Sequence, residues 1–162
     1  MRQQILTSAL DLLSGDATRQ PTTALLARHA HVSIGTVYRY FADMDAIVEE
    51  LRLAAVHDIT ASLASGIGRA MDAEPMTAMV TVVETLTSAF EKHGAVLRAS
   101  VTARDTELGD AWAEVEAPLL PLARILPMRL RPDLDDAAID DLVFITMGAT
   151  ASTVSYTHLR AH

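Results

Sequence analysis

Apolar positions recur at helical spacing from the second residue onward. Between Arg2 and Leu13, the residues Ile5, Leu6, Ala9, Leu12 and Leu13 stand at i, i+1, i+4, i+7 and i+8, which is one face of a helix. Ser14-Gly15-Asp16 stops that helix, and a polar loop runs to Pro21. Two short helical stretches then meet across a tight turn within residues 22–41. Thr22 is placed to cap the first, whose apolar face would be Leu25, Leu26 and Ala30. Ser33 is placed to cap the second, with Val37 and Phe41 turned inward. Ser and Thr suit such positions because a side-chain oxygen accepts a free N–H of the first helical turn. Between its apolar anchors the second stretch shows Ile34, Thr36, Arg39 and Tyr40, a face that the core does not need.

After an Ala42-Asp43 turn, capped by Asp43 or Asp45, the pattern predicts a helix from Met44 to about Ser65. Its face is Ile47, Val48, Leu51, Ala55, Ile59 and Leu63. Gly66 to Pro75 reads as a loosening, and 76–93 as a helix with Met76, Met79, Val80, Val83, Leu86 and Phe90 on one side, closed by His93-Gly94. A shorter segment covers Val96 to Ala103. Residues 106–127 form the next predicted helix, kinked or broken at Pro118 and Pro121. The last starts near Asp135, with Asp135, Asp136, Asp140 and Asp141 in its first turns, where the dipole favours negative charge. Small residues follow at Gly148, Ala149, Ala151 and Ser152, and let another helix approach closely. From Ser155 the apolar pattern fails. The expectation is an all-α chain: a three-helix domain with a helix-turn-helix over 1–46, a helical effector-binding and dimerisation domain over 47–154, and an aberrant or disordered tail over 155–162.

Composition agrees with helices: 50% of residues are hydrophobic but only 4% aromatic, with seven Gly and six Pro in 162 residues. The absence of Cys excludes disulfides, thiolate metal sites and a cysteine nucleophile. No apolar run reaches the roughly 18–20 residues that span a bilayer and no basic-then-apolar leader opens the chain, so no membrane partner is expected and the cytoplasm is the expected compartment. The net charge of −8 argues against nucleic acid until its distribution is considered. Residues 1–52 hold five Arg against six acids, so most of the excess lies in the body and the first segment is near neutral.

The chemistry of 22–41 leaves two readings open. In the first, the second short helix reads DNA: Arg39 makes a bidentate contact to guanine or clamps a phosphate, and Ile34 and Thr36 meet a thymine methyl. Thr22, Thr23, Ser33, Tyr38 and Tyr40 then offer hydroxyls to phosphate oxygens. In the second, the stretch is a packing unit whose polar residues are caps and solvated surface. His29 and His31 lie two apart, on different helical faces, and no His-x-x-x-His or His-Glu pair occurs, so no metal and no cofactor is expected. Ser, His and Asp occur without a nucleophile-elbow context, and Gly66-Ile67-Gly68 lacks the Lys and the strand of a phosphate loop, so an enzyme is not expected. In the body, Met79, Val83, Phe90 and Trp112 are candidates to line a ligand pocket, with ordinary core as the alternative.

The opening stretch resembles the DNA-binding domain of the tetracycline-repressor (TetR) family of bacterial regulators. The likeness is carried by Ile5-Leu6, Ala9, Pro21-Thr22-Thr23, Leu26-Ala27, Ala30-His31-Val32-Ser33 and above all Gly35-Thr36-Val37-Tyr38-Arg39-Tyr40-Phe41, with Asp45 and Ile47 beyond. It implies a homodimer that binds a palindromic double-stranded operator and is released by a small-molecule effector. Its phosphate-contacting positions fall on Thr22, Thr23, Ser33, Tyr38 and Tyr40, and its base-reading positions on Ile34, Gly35, Thr36 and Arg39. Two residues depart from the family pattern: His31 stands where a turn Gly is usual, and Met44 where a Lys is usual. The family body also ends in two long helices that pair two copies; only 135–154 is found here, so the chain is expected to be a fragment cut near Ser155 that also starts late. The alternative function is a helical small-molecule-binding or interaction module that no longer binds DNA.

Overall fold

The computed structural model describes residues 1–15, 21–103 and 115–159, with side chains described to Ser100 and from Val115 to Gly148. Among these residues there are eight helices and no strand: α1 (Arg2–Gly15), α2 (Thr23–His29), α3 (Ile34–Tyr40), α4 (Met44–Ala70), α5 (Pro75–Ala103), α6 (Leu120–Ala123), α7 (Ile125–Leu130) and α8 (Asp136–Leu159). The chain divides into two compact units, Met1–Val56 with His93–Ala111, and His57–Lys92 with Trp112–His162. Helices α4 and α5 each contribute to both.

In the first unit, Ile5 of α1, Leu26 of α2, Val37 of α3 and Ile47 of α4 are fully buried and form the core. Leu25, expected on that face, is exposed; Ala27 is buried in its place, so α2 sits rotated from the predicted face. Helices α2, α3 and α4 each open on a side-chain cap. Thr22 Oγ1 accepts the Leu25 N–H at 3.2 Å, Ser33 Oγ accepts that of Thr36 at 3.0 Å, and Asp43 Oδ1 accepts that of Ala46 at 2.8 Å. Helices of seven residues are too short to hold without such help and tertiary packing. Two side chains of α1 brace the group. Gln4 Nε2 donates to the Ala30 carbonyl at 2.8 Å, at the C-terminus of α2. Arg2 lies 5.1 Å from the centre of the Phe41 ring and makes a two-pronged ion pair with Glu50 of α4.

The second unit shows why the predicted break after Ser65 does not occur. Gly66 continues α4 to Ala70 because it is a contact point and not a hinge. A Cβ at Gly66 would lie 3.0 Å from the side chain of Thr85 on α5. Thr85 Oγ1 in turn accepts from Arg69 at 2.9 Å and donates to the Thr81 carbonyl at 2.6 Å. The turn falls instead at Met71–Glu74, and Pro75 opens α5 at the one place where its missing N–H costs nothing. Helix α5 also runs through His93-Gly94 without a stop. No glycine among the described residues has positive φ, and a Gly that stays in the right-handed region ends nothing.

The buried face of α5 is Ala78, Leu86, Ala89 and Phe90, whereas Met76, Val80 and Val83 are exposed, so the helix is turned from the expected face. The chain leaves helical geometry at Ala117 and resumes it at Leu120, as Pro118 and Pro121 require. Two arginines of this stretch are held by aspartates. Arg124 pairs with Asp136 at 3.0 Å and with Asp140, and Arg131 with Asp133 at 2.8 Å. The Arg131 hydrogen bond pushes the Asp133 carboxyl below its ordinary value. Asp135 caps α8 by accepting the Ala138 N–H at 2.9 Å, and the helix continues past residue 154 to Leu159.

Candidate nucleic-acid interface

The helix-turn-helix is built around one strained residue. Helix α2 ends at Ala30, and His31 follows with φ +54°, the left-handed region that glycine usually supplies. His31 N–H donates to the Arg28 carbonyl at 3.2 Å and Val32 N–H to the Ala27 carbonyl at 2.9 Å. This paired return is a Schellman closure. It satisfies two orphan carbonyls of α2 and turns the chain into Ser33, the cap of α3.

With Val37 and Phe41 buried, the rest of α3 faces outward. Ile34 is 47% exposed and Tyr38 53%, while Gly35, Arg39 and Tyr40 are also exposed. Thr36 is half-buried, its Oγ1 2.8 Å from Ser33 Oγ. Thr23, half-buried on α2, comes within 3.3 Å of the Tyr38 hydroxyl. The fold therefore brings Thr22, Thr23 and Tyr38 together at the start of α2, and Ser33 and Thr36 at the start of α3. Arg39 and Tyr40 sit at the end of α3, the guanidinium carbon 5.7 Å from the Tyr40 ring centre. Hydroxyls and a guanidinium on a short helix that is not needed by the core can donate to phosphates and base edges.

The cations of this unit are unequally available. Arg2 is held by Glu50, and buried Arg52 by Glu49 at 2.8–2.9 Å. Arg28 and Arg39 are exposed. Arg28, in the last turn of α2, was not singled out by its spacing, and only its position beside the His31 turn brings it to the same region of sequence as the reading helix. Met44 is buried at the start of α4, where it serves the core.

A second candidate site lies in the other unit. It is a small apolar cavity of about 30 Å³, open to solvent on one side. Met79 and Val83 line it, joined by Leu63 and Ile67 of α4 and by Val143, Thr146 and Met147 of α8. Phe90 is buried in the core and is not part of the wall. Trp112 lies outside the described residues. Nothing in the sequence distinguishes Leu63 or Val143 from ordinary core, since the wall is assembled from helices far apart in the chain. Among the described residues no cluster of three potential metal ligands occurs, and no helix is long and apolar enough to cross a membrane.

Residues 5–51 match the family model of bacterial regulatory proteins, tetR family. No curated protein sequence matches the chain. The crystal structure of a TetR family transcriptional regulator, PfmR from Thermus thermophilus, is similar in fold, with a TM-score of 0.67 at 16% identity. The similarity covers 96% of this chain and 85% of that one.

Proposed function

We propose that the chain, whose residues 5–51 match the family model of bacterial regulatory proteins, tetR family, is a ligand-released repressor that acts as a cytoplasmic homodimer on a palindromic operator. The observation that carries the reading is the outward face of α3. Ile34, Tyr38 and Arg39 are exposed on a helix whose cap, closure and inward residues are all accounted for without them. In this reading Ile34, Gly35, Thr36 and Arg39 meet base edges in the major groove. Thr22, Thr23, Ser33, Tyr38 and Tyr40 hold the phosphates.

The pairing surface in this reading is α8. Phe144 and Ile145 are 79% and 65% exposed, with Gly148 one turn on, and a large apolar patch of this kind calls for a cover. The effector would occupy the cavity. Leu63 and Ile67 lie on the same helix as Met44 and Ile47, which stand under the reading head. A ligand that favours one placement of α4 therefore shifts the spacing of two heads, and with it the fit to successive major grooves. A coupling of about 1–3 kcal/mol suffices for a working signal.

The test is a gel-shift titration of the DNA flanking the chain's own gene with wild type and Arg39→Ala. Loss of preference for one base position, costing about 1–3 kcal/mol, supports base reading by Arg39. An unchanged affinity refutes any role for it. A second reading, a helical module that no longer binds DNA, is favoured by the engagement of Arg2 and Arg52 with glutamates and by buried Met44. Absence of any salt-dependent DNA binding would select it.

A further inference from the structure

The acids of the first 52 residues are not spread evenly. Asp11 and Asp16 precede the helix-turn-helix, and Asp43, Asp45, Glu49 and Glu50 follow it. Residues 17–42 contain no Asp or Glu, but they hold Arg19, Arg28 and Arg39. The near-neutral balance of the whole stretch therefore conceals a cationic reading segment. Two of the flanking carboxylates are already engaged, Glu50 by Arg2 and Glu49 by Arg52. Local excess positive charge of this kind attracts a polyanion even when the chain as a whole is acidic.

Arg28 stands in the last turn of α2 and is exposed. At 100° per residue it falls roughly opposite the side that Leu26, Ala27 and Ala30 bury, and one turn after exposed Ala24. Among the described residues its guanidinium has no hydrogen-bond or ion-pair partner. The two short helices lie with opposite ends adjacent. The Thr23–Tyr38 contact of 3.3 Å sets the start of α2 beside the second half of α3, and the closure at His31 sets the end of α2 beside Ser33. Hydroxyls of Thr22, Thr23 and Tyr38 serve the first end. At the second end, Ser33 has Arg28 as its nearest free cation in the sequence. In a helix-turn-helix the second helix enters the groove while the first crosses the backbone, so a cation on the first meets phosphate and not a base edge.

We propose that Arg28 is a further DNA contact of this chain, holding a backbone phosphate at the turn end of the α2–α3 pair. The proposal rests on reading α3 as the DNA-reading helix, and adds to it a contact that carries no sequence preference. A guanidinium suits the role because its N–H groups can meet two phosphate oxygens at once.

The test is fluorescence anisotropy of the full chain on the duplex flanking its own gene and on a scrambled duplex, over a salt series, with wild type, Arg28→Gln and Arg28→Lys. Arg28→Gln is expected to weaken both duplexes by the same factor, about eightfold at 0.1 M salt, and to make the log–log salt slope shallower by about 0.9. Arg28→Lys is expected to keep the slope, since it keeps the charge. Unchanged affinity and slope in Arg28→Gln overturn the proposal. So does a loss confined to the flanking duplex, which would mark a base contact. A lower melting temperature at unchanged slope also overturns it, because Arg28 would then serve only the C-terminal dipole of α2. If wild type binds neither duplex, the DNA-reading premise itself falls; if wild type binds and Arg28→Gln binds equally well, only the role of Arg28 falls.

Discussion

His31 is the place where the reading head departs most sharply from what an L-residue prefers. Its φ of +54° is imposed by the Schellman closure of α2, whose two hydrogen bonds hold the turn into α3. The perturbation is His31→Gly. In the folded state it removes the clash between Cβ and the carbonyl oxygen, worth about 1–2 kcal/mol for a residue in the left-handed region. In the unfolded state the added freedom of glycine takes back roughly 0.5–1 kcal/mol. The side chain is exposed, so little packing is lost. The net expectation is a stabilisation of about 0.5–1 kcal/mol. For a chain of this length that is a rise in melting temperature of roughly 1–4 °C. His31→Val, β-branched and still less tolerant of positive φ, is expected to lower it. Thermal unfolding followed by far-UV circular dichroism measures both. A fall with Gly, or equal stability of Gly and Val, would refute the argument that backbone strain at the turn is the controlling quantity.

Other substitutions separate contact from propensity and pairing from folding. Gly66→Ala sets a Cβ 3.0 Å from Thr85, a β-branched side chain fixed by Arg69 and Thr81, and is expected to destabilise by about 1 kcal/mol. Gly68→Ala meets nothing within 4 Å and is expected to stabilise by about 0.5–1 kcal/mol; the two melting curves should move in opposite directions. Phe144→Glu, on an exposed face, should leave helicity intact and convert a dimer to a monomer in sedimentation velocity; an undiminished dimer would remove α8 from the pairing surface. Asp133 should titrate below the ordinary carboxylate value by carboxyl NMR, and Arg131→Gln should return it upward. Its depressed value means that the pair's contribution is complete above the ordinary carboxylate pKa and is lost as pH falls through the depressed one.

The reading head was legible in the sequence because its determinants are local. Thr22, Ser33 and Asp43 are capping residues at the correct offset from their N–H donors, and Val37 and Phe41 are the apolar positions of a short helix. The departure at His31 was also visible, since a turn of this kind asks for glycine. What was not legible depends on partners distant in the chain. Gly66 reads as a breaker until Thr85 is placed beside it. The exposed faces of α5 and α8 have the same apolar periodicity as buried ones, so Met76 and Phe144 could not be told from core by spacing. Spacing gives no sign that Arg124 and Arg131 are paired, because their aspartate partners are supplied by the loop before α8 and its first turns.

The central claim is that the exposed face of α3 recognises a DNA sequence. Fluorescence anisotropy of the duplex flanking the chain's own gene, against a scrambled duplex of equal length over a series of salt concentrations, tests it most directly. The account predicts that the flanking duplex binds tighter by about a thousandfold or more. It also predicts that affinity for both falls as salt rises, with a shallow slope because Arg2 and Arg52 are already paired within the protein. Equal affinity for the two duplexes, or binding to neither, would contradict it.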